Sequence, residues 1–291
     1  MILPYRAGIT AVTLMLAGWS AQGARAQIVS AEVAQGLEYQ QTSGGVAAYN
    51  GGVNASFTAI TFAPSGAFDG GSVSFPGPAS PQSFNISGLL DCCGNYGVGY
   101  GTGYLAPAVL NANYPTGITY TLTATNSGTL ASESVQIPFL NPLYPSVIPE
   151  LTAASFNALQ NLNPSAAITI DFNSSPVNPD ATFGQVFFTI TDVTTNTTVV
   201  NDAGLPSSTT SVTVGAGTFA AGDSYGFELI FDNGVQGAYG DVATTARSGL
   251  RTFGLFTVAV PEPSTWAMML LGFAGLGAAG HRRAQRARAA A

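Results

Sequence analysis

Lysine is absent from this chain of 291 residues, and histidine occurs once, at His281. Cysteine is confined to the adjacent pair Cys92 and Cys93, and charged residues of both signs make up only 8% of the sequence. Each shortage excludes a chemistry. Without lysine there is no Schiff base and no Walker-type phosphate loop. Without histidine before residue 281 there is no Ser-His or Cys-His nucleophile pair and no His-ligated zinc in the stretch that precedes it. No cofactor and no metal are therefore expected. The two cysteines have no distant partner in the chain, which leaves a vicinal bridge, a link to another chain, or free thiols. Bases are also short where they would matter most. Between Gln27 and Val260 there are 14 acids against Arg247 and Arg251, a net charge of −12, so this stretch repels phosphate backbones and nucleic-acid binding is excluded.

What the chain does have is segmented. Arg6 followed by the apolar run 7–19 has the charge and length of a secretory signal peptide. The run is shorter than the roughly 20 residues that span a bilayer. Ala24 and Ala26 are small residues at the positions a signal peptidase reads, which puts the cut before Gln27 and makes 1–26 the signal peptide. The mature protein is then expected outside the inner membrane.

The other end contains three elements in order. Pro261 and Pro263 hold the backbone extended and accessible around Glu262. Trp266 to Ala279 is a charge-free run rich in glycine, and a short membrane helix is expected over 265–280. Its 14 residues cover about 21 Å at 1.5 Å each, short of the ~30 Å hydrocarbon core unless flanking residues extend it. Arg282, Arg283, Arg286 and Arg288 mark the side that stays in the cytoplasm, which leaves the body outside. This arrangement closely resembles the PEP-CTERM sorting domain. Pro261, Glu262 and Pro263 match its signature, Trp266 to Leu270 with Gly272 and Phe273 its helix, and Arg282 and Arg283 its basic end. The resemblance is confined to residues 261–288. It implies export in a Gram-negative bacterium, transient anchoring in the inner membrane, processing by an exosortase, and delivery to the cell surface or an extracellular polysaccharide matrix.

The body between these segments reads as all-β. Apolar residues recur with period two against Thr, Ser, Asn and Asp, as in Ile168, Ile170 and Phe172, or Tyr225, Phe227, Leu229 and Phe231. Turn residues at Asp69-Gly70-Gly71, Asn126-Ser127-Gly128, Asn201 to Gly204 and Asp232-Asn233-Gly234 are expected to separate the strands. Only Leu151 to Leu162 has room for a helix turn or two. Four prolines between Pro138 and Pro149 predict a stiff linker over 138–149, dividing a β-rich unit at 27–137 from an immunoglobulin- or fibronectin-like β-sandwich at 150–260.

Candidate chemistry in the body is sparse. Asp171, Asp192 and Glu228 lie on or beside expected strands, and an acid pair is the one general acid-base option left. Asp69, Asp223, Asp232 and Asp241 sit in Gly/Asn-rich loops without completing a calcium loop. Gly101-Thr-Gly103-Tyr-Leu-Ala106 resembles a dinucleotide fingerprint but lacks the strand-helix-strand unit around it. Tyr96, Tyr100 and Tyr104 punctuate glycines in a run suited to stacking against a sugar. The sequence therefore points to a non-enzymatic surface or matrix protein, glycan-binding or adhesive, with exopolysaccharide as the candidate ligand. The rival is a carboxylate-dependent hydrolase of matrix polysaccharide.

Overall fold

The computed structural model describes residues 27–48, 54–90 and 94–259. The expectation of a β protein holds. In chain order the elements are β1 (Ser30–Gln41), β2 (Val46–Ala48), β3 (Ala55–Ala63), β4 (Gly70–Ser74), β5 (Gln82–Leu90), β6 (Tyr96–Gly101) and α1 (Pro107–Asn113). There follow β7 (Ile118–Thr125), β8 (Ser132–Phe139), α2 (Ala153–Gln160), β9 (Ile168–Asp171), β10 (Phe183–Asp192) and β11 (Thr197–Pro206). The last are β12 (Ser211–Val214), β13 (Ser224–Tyr239) and β14 (Val242–Thr257). Both helices are too short to cross a membrane, and among the described residues no helix is long and apolar enough to do so; the membrane helix expected over 265–280 lies outside them.

Helix α2 occupies the one place where a helix was expected, started by the Thr152 side chain accepting from the Ser155 amide. Helix α1 was not expected. Pro107 opens it, a position where the missing N–H costs nothing, and Leu110 anchors it in the core.

One hydrogen-bonded path joins the strands in the order β11-β10-β13-β14-β1-β3-β6-β5-β4-β7-β8, while β9 and β12 form a separate ribbon. One interior pairing of the path is unusual: β14 pairs with β13 antiparallel on one side and with β1 in parallel on the other, so the first and last long strands are neighbours. Strand alternation then fixes two faces. Ala31 and Val33 on β1, Ala246 on β14, and Leu229 and Phe231 on β13 point to the inner face, and Glu32, Glu38, Arg247, Arg251, Glu228 and Asp232 to the outer.

The inner face carries two apolar cores. One gathers Phe57, Val73, Tyr120, Leu122, Val135 and Phe139 with Ala246 and the start of β14. The other gathers Phe156, Ile170, Phe188, Phe227 and Phe231 with Phe256 and Val258 at its far end, the β9–β12 ribbon and α2 covering the sheet. Strand β14 contributes to both.

Between the cores runs the proline-rich segment, entered from β8, whose ladder to β7 extends through Pro138 and Phe139. It is fastened by side chains. The Leu143 amide donates to Ser248 Oγ at 3.2 Å, and the Tyr144 hydroxyl to Gln35 Oε1 at 3.4 Å. Gln41 exchanges two 2.9 Å bonds with the Leu151 backbone. A chain crossing a buried surface must satisfy its backbone groups; prolines lower the number of donors, and the buried Gln41 and Ser248 serve others, while Gln35 holds the Tyr144 side chain.

Two expected turns are instead strand. Asn201 to Gly204 lies within β11, and Asp232-Asn233-Gly234 lies mid-way along β13. The second follows from packing. A Cβ on Gly234 would collide with the Phe183 ring lying over it, while Asp232 faces Arg247 and Asn233 is wholly buried on the inner face. Glycine there makes room for a neighbour and does not bend the chain.

Candidate functional site

The strongest electrostatic feature is on the outer face of β13, β14 and β1. Arg247 and Arg251 are four residues apart on β14 and therefore project on one side. Arg247 Nε reaches Glu32 Oε1 at 2.7 Å and its Nη1 meets Asp232. Arg251 bonds Glu38 Oε1 and Glu228 Oε1, each at 2.7 Å. Each arginine on the central strand is thus bracketed by one carboxylate from each neighbour. The side chains are only 2–22% exposed, so these are largely desolvated pairs. Tyr104 adds its hydroxyl to Glu38 Oε1 at 2.7 Å.

This array was legible in part. The only two bases of the body lie at an even spacing in a period-two run, and Glu32 and Glu38 share that property. What the sequence does not carry is the pairing of β1 with β14.

Burial pushes the Glu32 carboxyl above its ordinary 4.5, with the Arg247 charge and hydrogen bond working against that rise. Burial alone would lower the Arg247 pKa, but Glu32 and Asp232 outweigh it and raise it. Asp69 is held below its ordinary 3.8 by hydrogen bonds from Ser127, and Asp192 likewise by the amides of Thr195 and Thr194. The signs are opposite. A carboxyl with a raised folded pKa stabilises below its unfolded value and loses that as pH rises through the folded one; a depressed carboxyl stabilises above its unfolded value and loses that as pH falls through the folded one. Stability, read as the urea midpoint, is therefore expected to rise as pH drops towards 4.5 and to fall again below 3.8. Glu32→Gln should abolish the rise and keep the fall; an unchanged profile would refute the assignment to Glu32.

The other sequence candidates are dispersed. Asp171 is exposed on β9, Asp192 caps the β10–β11 turn, and Glu228 and Asp232 are bound to separate arginines. Asp69 clamps the β7–β8 turn through Ser127. No group of His, Cys, Asp and Glu able to hold a metal occurs among the described residues. Of the three tyrosines, Tyr96 is 42% exposed, Tyr100 turns in to share a 2.7 Å hydroxyl contact with Tyr114, and Tyr104 is the Glu38 donor. Cys92 and Cys93 lie outside the described residues, as do Ala24, Ala26 and every residue of the sorting segment from Val260 onward.

Both ends of the body are nonetheless fixed. Gln27 is the first described residue; Val29 donates to the Phe62 carbonyl at 2.8 Å and Ile28 to Glu133 at 2.9 Å. This end also holds the β3–β4 loop, the β7–β8 turn and the β13–β14 turn; Asn126 Nδ2 reaches the Gly66 and Ala67 carbonyls at 3.1 Å. The C-terminal end is opposite, because β14, 16 residues long and so about 50 Å at ~3.3 Å each, pairs in parallel with β1 from Ala243 to Phe253 and continues beyond it. There Val258 is fully buried, its amide bonded to the Asp223 carbonyl at 3.0 Å and its carbonyl to the Gly222 amide at 2.9 Å.

A β body whose last strand is followed in sequence, within four residues, by Pro-Glu-Pro, an apolar run and arginines is cargo on a C-terminal sorting tail. That tail is a PEP-CTERM protein-sorting motif, matched over residues 259–283, beginning one residue after the last buried position. The motif marks the chain as an exported protein processed by an exosortase. No curated protein matches the chain. The N-terminus predicts a second cut: N-terminal sequencing of the exported form is expected to start at Gln27, and a start at Met1 would convert the leader into an anchor.

Proposed function

We propose that this chain is a non-enzymatic cell-surface or matrix protein whose body adheres to neutral polysaccharide. The observation that carries this reading is the outward face of β4, β7 and β8. Thr119, Thr121, Thr123 and Thr125 alternate with inward Tyr120, Leu122 and Ala124. Beside them stand Ser132, Ser134 and Gln136 on β8 and Ser72 and Ser74 on β4, with Thr123 and Ser134 hydroxyls 2.8 Å apart. No charged residue interrupts this array, although the body carries a net −12.

Hydroxyls and amides both donate and accept, as sugar hydroxyls do, and the regular ladder spaces them about 4.8 Å apart across strands. An anionic polymer would be repelled by the rest of the body. The part of the body built on the second core, with the β9–β12 ribbon facing the sheet, acts in this reading as a spacer joined to the first by β14. The non-enzymatic choice is supported by the engagement of Glu32, Glu38, Glu228 and Asp232 with arginine and of Asp69 and Asp192 with turn amides.

The test is retention of the exported protein on an insoluble neutral glucan and on an acidic polysaccharide. Retention on the neutral polymer alone, lost in a Thr121→Asp, Thr123→Asp double variant of unchanged circular dichroism, is expected. Equal retention of the double variant would defeat the assigned face, and release of reducing ends would replace adhesion by hydrolysis.

A further inference from the structure

We propose that the C-terminal end of the body, centred on Leu255, is a docking surface for the exosortase that processes the tail. The inference rests on the sorting assignment and on how little chain separates the fold from the motif.

Val258 is buried and tied on both sides of its peptide to the Gly222–Asp223 turn. Pro261 is three residues further on. Fully extended, that connection spans no more than about 11 Å. Because the Pro-Glu-Pro triplet abuts a charge-free run suited to a membrane, an enzyme reading Glu262 works at the bilayer and is brought against the end of the folded body.

The surface presented there is not uniformly polar. Leu255 is 60% exposed, the largest exposure of any large apolar residue on β10, β13 or β14. It projects from the outer face of β14, two residues before the strand ends, over Gly226, with Val193 also beside that glycine. A Cβ on Gly226 would lie 3.5 Å from Leu255 and 3.8 Å from Val193, so the glycine leaves a shallow step between the two side chains. The main chain behind Leu255 is held by Gln160 Nε2 donating to its carbonyl at 3.1 Å. The patch is therefore small, apolar and presented on a rigid support.

The charge around it favours a protein over the lipid surface. Asp192, Asp223 and Glu228 lie on the same strands or the turn joined to them, and no base other than the bracketed Arg251 is near on β14. An anionic leaflet would repel this end.

The experiment follows processing of the full-length precursor in cells by pulse-chase, with Leu255→Asp, Leu130→Asp and a ten-residue Gly/Ser insertion between Ala259 and Val260. Leu130 is the control: it is 86% exposed at the opposite end, in the β7–β8 turn. Leu255→Asp is expected to slow processing about tenfold, the equivalent of losing one buried leucine from a contact. Leu130→Asp should process at the wild-type rate. In the inserted precursor, where the enzyme no longer has to meet the body, Leu255→Asp should lose its effect. Wild-type processing of Leu255→Asp overturns the proposal, and so does slowing that Leu130→Asp reproduces or that the insertion fails to relieve. Glu262→Gln is run alongside: if it is processed normally, the sorting assignment itself has failed, a result distinct from failure of the docking surface.

Discussion

Arg247→Ala is expected to destabilise the body by about 3–5 kcal/mol, the largest effect of any single side-chain truncation on the outer face. The reason lies in what is left behind. Glu32 and Asp232 face Arg247 from the two strands flanking β14, and their side chains are 12% and 2% exposed. Removing the cation strands two carboxylates with little water to replace it, and burial already pushes Glu32 towards its protonated form. Arg247→Lys should recover only part of the loss, because a point charge cannot serve Nε and Nη1 contacts to two strands at once. Urea unfolding of the exported form measures both. A loss below about 1 kcal/mol in Arg247→Ala would place the pairs among exposed bridges of small value. Arg251→Ala, whose partner Glu228 is 22% exposed, should cost less.

The second large effect concerns processing. Glu262→Gln preserves size and backbone preference between Pro261 and Pro263 and removes only the charge. A recognition site that reads the carboxylate loses a charge-assisted hydrogen bond, worth about 1.5–3 kcal/mol, or one to two orders of magnitude in rate. Unprocessed, membrane-bound protein should therefore accumulate, while His281→Ala is processed as wild type. Mass spectrometry of the surface-exposed protein gives an independent check. If the wild-type product retains Trp266 to Arg288, the segment is a permanent anchor and not a sorting signal.

The fold class was legible because period-two alternation is a local property: Ile168 to Phe172, Tyr225 to Phe231 and Tyr120 to Ala124 each announce which side is buried. The sorting motif was legible for the same reason, since Pro261 to Arg283 is contiguous. Pairing was not. Nothing in residues 30–41 says that their neighbour begins at residue 242, and the ion-pair array exists only once β1 and β14 meet. The turn reading of Asp232-Asn233-Gly234 failed because glycine answers two demands, a bend or a close neighbour, and only Phe183 shows which applies. The proline-rich segment misleads in a related way. Its composition describes a stiff chain, while the side chains that fasten it across the sheet, Gln35, Gln41 and Ser248, are more than 100 residues away for each contact. The tyrosine run shows the limit of composition: spacing alone could not tell that Tyr100 and Tyr104 spend their hydroxyls on Tyr114 and Glu38.

The position of β14 also sets how the body bears force. While the tail is held and the opposite tip is gripped, tension runs along β14 from Thr257 towards Val242. Its hydrogen bonds to β13 and to β1 lie across that axis, so the load is a shear shared by both ladders at once and cannot be relieved by peeling one rung at a time. Had the last strand been at the edge of the sheet and been pulled sideways, the rungs would have failed in sequence. A tether on a strand paired on both sides, when pulled along that strand, meets the mechanically stiff direction of the molecule.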